Sequence, residues 1–144
     1  MVLNQRVGMN KPALPLVGVV IANYNNASYV EQAIRSVAAQ SFVHFSAIIV
    51  DNCSTDLSDA AIENTLRELR DARFQYIKND CNRGQAGAIR TGLAYLLDGS
   101  FICILDSDDC LYEDFIERHI EAHLNADFPV ALSYCDSHIV NGAG

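Results

Sequence analysis

Phe101-Ile102-Cys103-Ile104-Leu105-Asp106-Ser107-Asp108-Asp109 decides how this chain reads. A short, unbroken apolar run is the pattern of a buried strand. The acids that follow then fall at the strand's carboxyl end, where open α/β sheets bind their ligands. Three carboxylates in four residues repel one another. At roughly 5 Å and an effective dielectric of about 20, each like pair costs about 3 kcal/mol before solvent screening. A divalent cation, a shared proton or exposure to water would offset that cost. The plain alternative is an acidic turn capping a helix that begins near Tyr112. The place directly behind an apolar strand favours a metal- and nucleotide-binding turn, because Mg²⁺ or Mn²⁺ is held by a carboxylate or two together with substrate phosphates.

Upstream, the same alternation recurs. Residues 16–22, 45–50 and 74–78 read as strands, and residues 130–135 as a fifth. Between them lie helical stripes. Val30, Ala33, Ile34, Val37 and Ala38 share one face over residues 28–40, with Ser28 and Glu31 as a capping box. Ile62, Leu66 and Leu69 mark a helix over 59–70, capped by Asp56 or Ser58. Ile89, Leu93, Leu96 and Leu97 mark 84–97, which stops near Gly99, and Phe115, Ile116, Ile120 and Leu124 mark 112–125. Strict alternation predicts an α/β fold, a mostly parallel Rossmann-like sheet with helices on both faces and right-handed crossovers. In the strand order 3-2-1-4, the loops Asn23-Tyr24-Asn25-Asn26, Asp51-Asn52-Cys53-Ser54-Thr55-Asp56 and Asp106-Ser107-Asp108-Asp109 line one crevice.

Length and composition narrow the class. A chain of 144 residues, half of them hydrophobic and 19% charged, fits one globular domain. A formal charge of −8, with no basic run, argues against a nucleic-acid surface. No apolar stretch is long enough to span a bilayer, and the N-terminus lacks the regions of a signal peptide. Five widely spaced cysteines without a CxxC pair fit reduced thiols in the cytoplasm rather than a disulfide framework or zinc site. Residues 1–14 read as a loose leader and 15–140 as the folded domain. The tail at 141–144 follows the last expected strand without a closing element, so the chain reads as part of something longer.

Several loops admit both a structural and a functional reading. Asp51 and Asn52 stand where an acid and an amide at a strand end meet a base or ribose, whereas Ser54 and Asp56 suit the turn and the next cap. Asn23-Tyr24-Asn25-Asn26 is either a turn of αL-tolerant residues or a place where Tyr24 meets a nucleobase. Asn82-Arg83-Gly84-Gln85-Ala86-Gly87 matches neither GxGxxG nor GxxxxGK[ST]. Its glycines at a helix start still permit close approach, and Arg83 or Arg90 could face a diphosphate. His119 and His123 sit one helical turn apart without an evident third ligand, which favours a packing role over metal.

Taken in order, these stretches resemble glycosyltransferase family 2, the inverting enzymes with a GT-A nucleotide-sugar fold. The matching segments are Val19-Val20-Ile21-Ala22-Asn23-Tyr24-Asn25, Tyr29 through Phe42, Ile48 through Asp56, Asn82-Arg83-Gly84, and Leu105-Asp106-Ser107-Asp108-Asp109. They cover residues 15–140. The resemblance implies that Ala22, Tyr24, Asp51 and Asn52 hold the base and ribose of a nucleoside-diphosphate sugar, a UDP-sugar foremost. It implies that Asp108 reaches toward ribose or sugar and that Asp108 or Asp109, in a DXD-type motif, coordinates Mn²⁺ or Mg²⁺. Asn52 replaces the second Asp found in many members, and Ala22 the frequent Pro.

The implied reaction moves the sugar to an acceptor hydroxyl, on a saccharide or another molecule. An inverting transfer needs a general base, which in this family lies beyond the DXD region and is expected past residue 144. The chain is then the donor-binding half, unable to turn over alone, in a cytoplasmic protein that could sit against the inner face of the membrane. The competing readings are a sugar nucleotidyltransferase, which would want glycine in the loop at 23–26, and a non-catalytic nucleotide-binding or interaction module.

Overall fold

The computed structural model describes residues 16–96 and 101–140. The expected leader, the Gly99 stop and the tail at 141–144 lie outside them. Four parallel strands, β1 (Val17–Asn23), β2 (Phe45–Asp51), β3 (Phe74–Lys78) and β4 (Phe101–Asp106), form one sheet in the order β3-β2-β1-β4. The intervening helices are α1 (Val30–Ala38), α2 (Ser58–Leu69) and α3 (Gly84–Tyr95), and α4 (Phe115–Leu124) follows β4. This is the α/β architecture that the alternation predicts, in the strand order common to doubly wound sheets.

The strand period of two divides the core. Val17, Val19 and Ile21 of β1, with Phe45, Ala47 and Ile49 of β2, pack against Ile34 and Val37 of α1, Ile62 of α2 and Ile116 and Ile120 of α4. The opposite face carries Val20, Ile48 and Val50 against Ala88, Leu93 and Leu96 of α3. α3 approaches β1 closely because two positions lack a side chain. A Cβ on Gly92 would stand 2.5 Å from Val20 Cγ1, and one on Gly18 would stand 2.6 Å from Leu96 Cδ1.

Three local expectations need correction. Residues 130–135 form no strand. Leu132 and Tyr134 are 79% and 89% exposed, so no sheet face takes up their apolar surface. The segment instead meets α4 through polar contacts, with Ser133 Oγ 2.6 Å from His119 Nδ1 and 2.9 Å from His123 Nε2. The capping box at Ser28 does not form either. Tyr29 is the N-cap of α1, and the Tyr29 and Val30 amides both donate to the Asn26 carbonyl. Glu31 pairs forward with Arg35 at 2.8 Å rather than reaching back. At α2 the N-cap is Leu57, while Asp56 does the capping work by accepting from the Ser58 amide at 2.9 Å.

Candidate functional site

The parallel registers Asn23↔Asp51 and Ala22↔Asp106 bring three strand ends level at one rim of the sheet. A cleft of about 300 Å³ opens there. Its floor is Ala22 and Asn23 at the end of β1, and one wall is Gly84, Gln85 and Ala88 of α3. Tyr24, Asn26, Asn52, Asn82, Asp106, Ser107 and Asp108 complete the lining. The backbone joins these loops directly: the Asn52 amide donates to the Asn23 carbonyl at 2.8 Å, and the Ser107 amide to the Ala22 carbonyl at 3.1 Å.

Of the residues proposed from sequence, Ala22, Tyr24, Asn52 and Asp108 meet in this cleft. Asp109 is exposed one residue beyond Asp108, and Arg83 and Arg90 are exposed on the α3 segment without joining the lining. Asp51 is fully buried and is not among the lining residues. Its Oδ1 accepts from Asn23 Nδ2 at 2.8 Å and from the Ser54 hydroxyl, and its Oδ2 accepts from the Ser54 amide at 3.1 Å. Asn52 faces the other way, as the strand period requires. Its Nδ2 donates to Asn82 Oδ1 at 2.8 Å and to the Gly84 carbonyl at 3.2 Å, while its Oδ1 accepts from Asn79 Nδ2 at 3.0 Å and the Arg83 amide at 3.1 Å.

The remaining lining residues escaped the sequence reading as individual contacts. Gln85 Nε2 donates to Asp106 Oδ1 at 2.7 Å and so ties the head of α3 to the end of β4. Asn26 Nδ2 donates to Ser107 Oγ at 3.0 Å, linking the first loop to the acidic turn. Only their positions just past strand ends, or in the first turn of a helix, could have flagged them.

Electrostatics sorts the acids of the rim. Asp56 is held below the usual carboxylate range: burial opposes this, but hydrogen bonds from Ser58 and from the Ala27 amide outweigh it. Asp106 is engaged by Gln85, whereas the carboxylates of Asp108 and Asp109 make no hydrogen bond or ion pair among the described residues. No group of three His, Cys, Asp or Glu side chains converges as a metal set among those residues. Two such free carboxylates could hold a divalent cation, whose remaining ligands would come from outside this pair. His119 and His123 both meet Ser133 Oγ.

Comparison with known proteins follows the same lines. The model of Glycosyl transferase family 2 matches residues 18–142. The succinoglycan biosynthesis protein ExoO of Rhizobium meliloti is 35% identical over 93% of this chain and 38% of its own length. WfgD of Escherichia coli, named a UDP-Glc:α-D-GlcNAc-diphosphoundecaprenol β-1,3-glucosyltransferase, is 29% identical over 88% of this chain and 47% of its own length. Among solved structures, the mannosyltransferase PcManGT of Pyrobaculum calidifontis, in complex with GDP-Man and Mn²⁺, superposes with a TM-score of 0.63 at 26% identity. That match covers 67% of this chain and 28% of PcManGT. The chain thus spans less than half the length of each of these proteins.

Proposed function

The chain belongs to glycosyltransferase family 2, and we propose on that footing that its cleft holds the nucleoside-diphosphate sugar for a metal-dependent, inverting transfer to an acceptor hydroxyl. One observation carries the reading: the polar ends of β1, β2 and β4 converge on one cleft lined by Asp108, whose carboxylate, like that of the exposed Asp109 next to it, is unengaged among the described residues. WfgD and PcManGT, named for UDP-Glc and complexed with GDP-Man and Mn²⁺ respectively, support a nucleotide-sugar donor and a divalent metal, with a UDP-sugar as the first candidate.

In this reading Tyr24, 44% exposed on the cleft, offers its ring to the base. Ala22 and Ala88 leave room for the nucleoside beside them, since neither carries a side chain beyond Cβ. Asp108 serves ribose or sugar and, with Asp109, holds Mn²⁺ or Mg²⁺. The bound cation supplies positive charge opposite the leaving diphosphate. Gly84, at φ +69° with open space where a Cβ would stand, lets the head of α3 come close to the phosphates. We assign no general base to this cleft, so turnover belongs to a protein that also supplies the acceptor side. Five free cysteines fit a cytoplasmic setting, and no helix among the described residues is long and apolar enough to cross a membrane.

Calorimetric titration of UDP, GDP and dTDP, with and without Mn²⁺, tests this. Binding should strengthen with Mn²⁺, and Asp109→Ala should abolish that gain. Metal-independent binding, indifferent to Asp109→Ala, would remove the role given to the acidic turn.

A further inference from the structure

Asp51 is completely buried, carries no ion pair among the described residues, and has both oxygens engaged by protein donors, two at Oδ1 and one at Oδ2. Those donors share one destination. Asn23, whose Nδ2 donates to Asp51 Oδ1 at 2.8 Å, immediately precedes Tyr24. Ser54, whose hydroxyl also donates to Asp51 Oδ1, accepts through the same oxygen from the amide of Asn25, which immediately follows Tyr24, at 2.9 Å. Asn25 closes the clamp from its side chain, its Oδ1 accepting from the Thr55 amide at 2.8 Å, in a left-handed backbone conformation at φ 54°. Both neighbours of Tyr24 are therefore pinned to one carboxylate beneath the loop.

Resting on the nucleotide-binding reading above, we propose that Asp51 is a positioning residue: it touches no ligand and sets the presentation of Tyr24 to the base through Asn23 and the Ser54–Asn25 relay. Three features support this over a direct contact. The side chain of Asp51 is sealed from the cleft, which Tyr24 lines. All three protein groups that meet Asp51 are donors, so two accepting oxygens suit them, whereas an amide would set its own N–H against one of them. And Asn25, a residue type that tolerates the left-handed backbone it holds at φ 54°, is bonded through both its amide and its side chain to the Ser54-Thr55 segment that follows Asp51.

The test uses the full chain with Asp51→Asn, Ser54→Ala and Ser54→Thr, each alone and combined with Tyr24→Ala. Amide hydrogen exchange at Asn25 reports the brace without any ligand, and titration with UDP and Mn²⁺ reports its consequence. Asp51→Asn and Ser54→Ala should each accelerate exchange at Asn25 and weaken UDP by about five- to thirtyfold, the scale of one or two lost buried hydrogen bonds. Ser54→Thr, which keeps the hydroxyl, should restore both. In the Tyr24→Ala background the binding loss should vanish. A loss from Asp51→Asn that persists undiminished without the Tyr24 ring would mean that Asp51 contacts the nucleotide itself, and unchanged exchange at Asn25 would mean that no brace exists; either overturns the proposal. Ser54→Ala carries the test if Asp51→Asn does not fold. If the wild-type chain binds no nucleotide, the functional reading fails while the exchange measurement still decides the brace.

Discussion

Asn52 lies 2% exposed with both donors and both lone pairs of its amide taken. Replacing it with Ala strands the Asn79 amide, which is itself 7% exposed, and frees the loop that carries Asn82 and Gly84. Unsatisfied buried partners of this kind cost about 1–3 kcal/mol. Asn52→Ala should therefore lower the unfolding free energy by that amount, read as a lower urea midpoint at an unchanged m-value. An unchanged midpoint would show that other contacts hold the 79–84 loop. The sequence marks Asp51 and Asn52 as a polar pair after a buried strand. Their opposite directions also follow from the strand period. What the letters do not reveal is that each finds its hydrogen-bond partners within the protein, because those partners come from loops up to 32 residues away.

Among the elements, α3 depends most on a single absence of side chain. The Cβ of an Ala at Gly92 would sit 2.5 Å from Val20 Cγ1. Val20 is fully buried and β-branched, so it has little room or rotamer freedom to yield. Gly92→Ala should destabilise the domain by about 1–3 kcal/mol despite its better helix propensity. A stabilised variant in denaturant titration would show that α3 can shift outward. The helical stripe of α3 is plain in sequence, whereas the close approach of Gly92 to Val20 is visible only in the fold. Conversely, the capping box at Ser28 and the strand at 130–135 are locally consistent patterns that tertiary context overrides. The α1 start is taken by the Asn26 carbonyl, and the 130–135 run finds no apolar face to cover.

At the scale of the molecule, the sheet is protected unevenly. α1, α2 and α4 cover one face, whereas on the other α3 packs its apolar side chains against β1 and β2 and meets β4 at its end through Gln85. β4 closes the sheet order at one end, and its outward Ile102 and Ile104 are 57% and 52% exposed. An apolar edge strand is a template for association. The isolated chain should self-associate with rising concentration, and the double substitution Ile102→Lys with Ile104→Lys should reduce this in sedimentation velocity. A wild-type chain that stays monomeric at high concentration would show that this surface is not adhesive. β1 sits inside the sheet, between β2 and β4, so that the loops after all three strands face one cleft.

By itself the sequence determined the alternation of strands and helices as far as α4, the parallel sheet, and the polar loops that follow its strands. These follow from apolar periodicity and from the chirality of crossovers, which act over short stretches of chain. The resemblance to family 2 was legible for the same reason, since its motifs are those strand ends. Only the tertiary structure decided which polar residues face the cleft and which hold the loops in place. Asp51 and Asp108 look alike as letters after a strand, but one is enclosed by Asn23 and Ser54 while the other stands open to solvent. Burial and partner geometry, not residue type, separate the enclosed acid from the open one, and both are set by contacts between segments far apart in the chain.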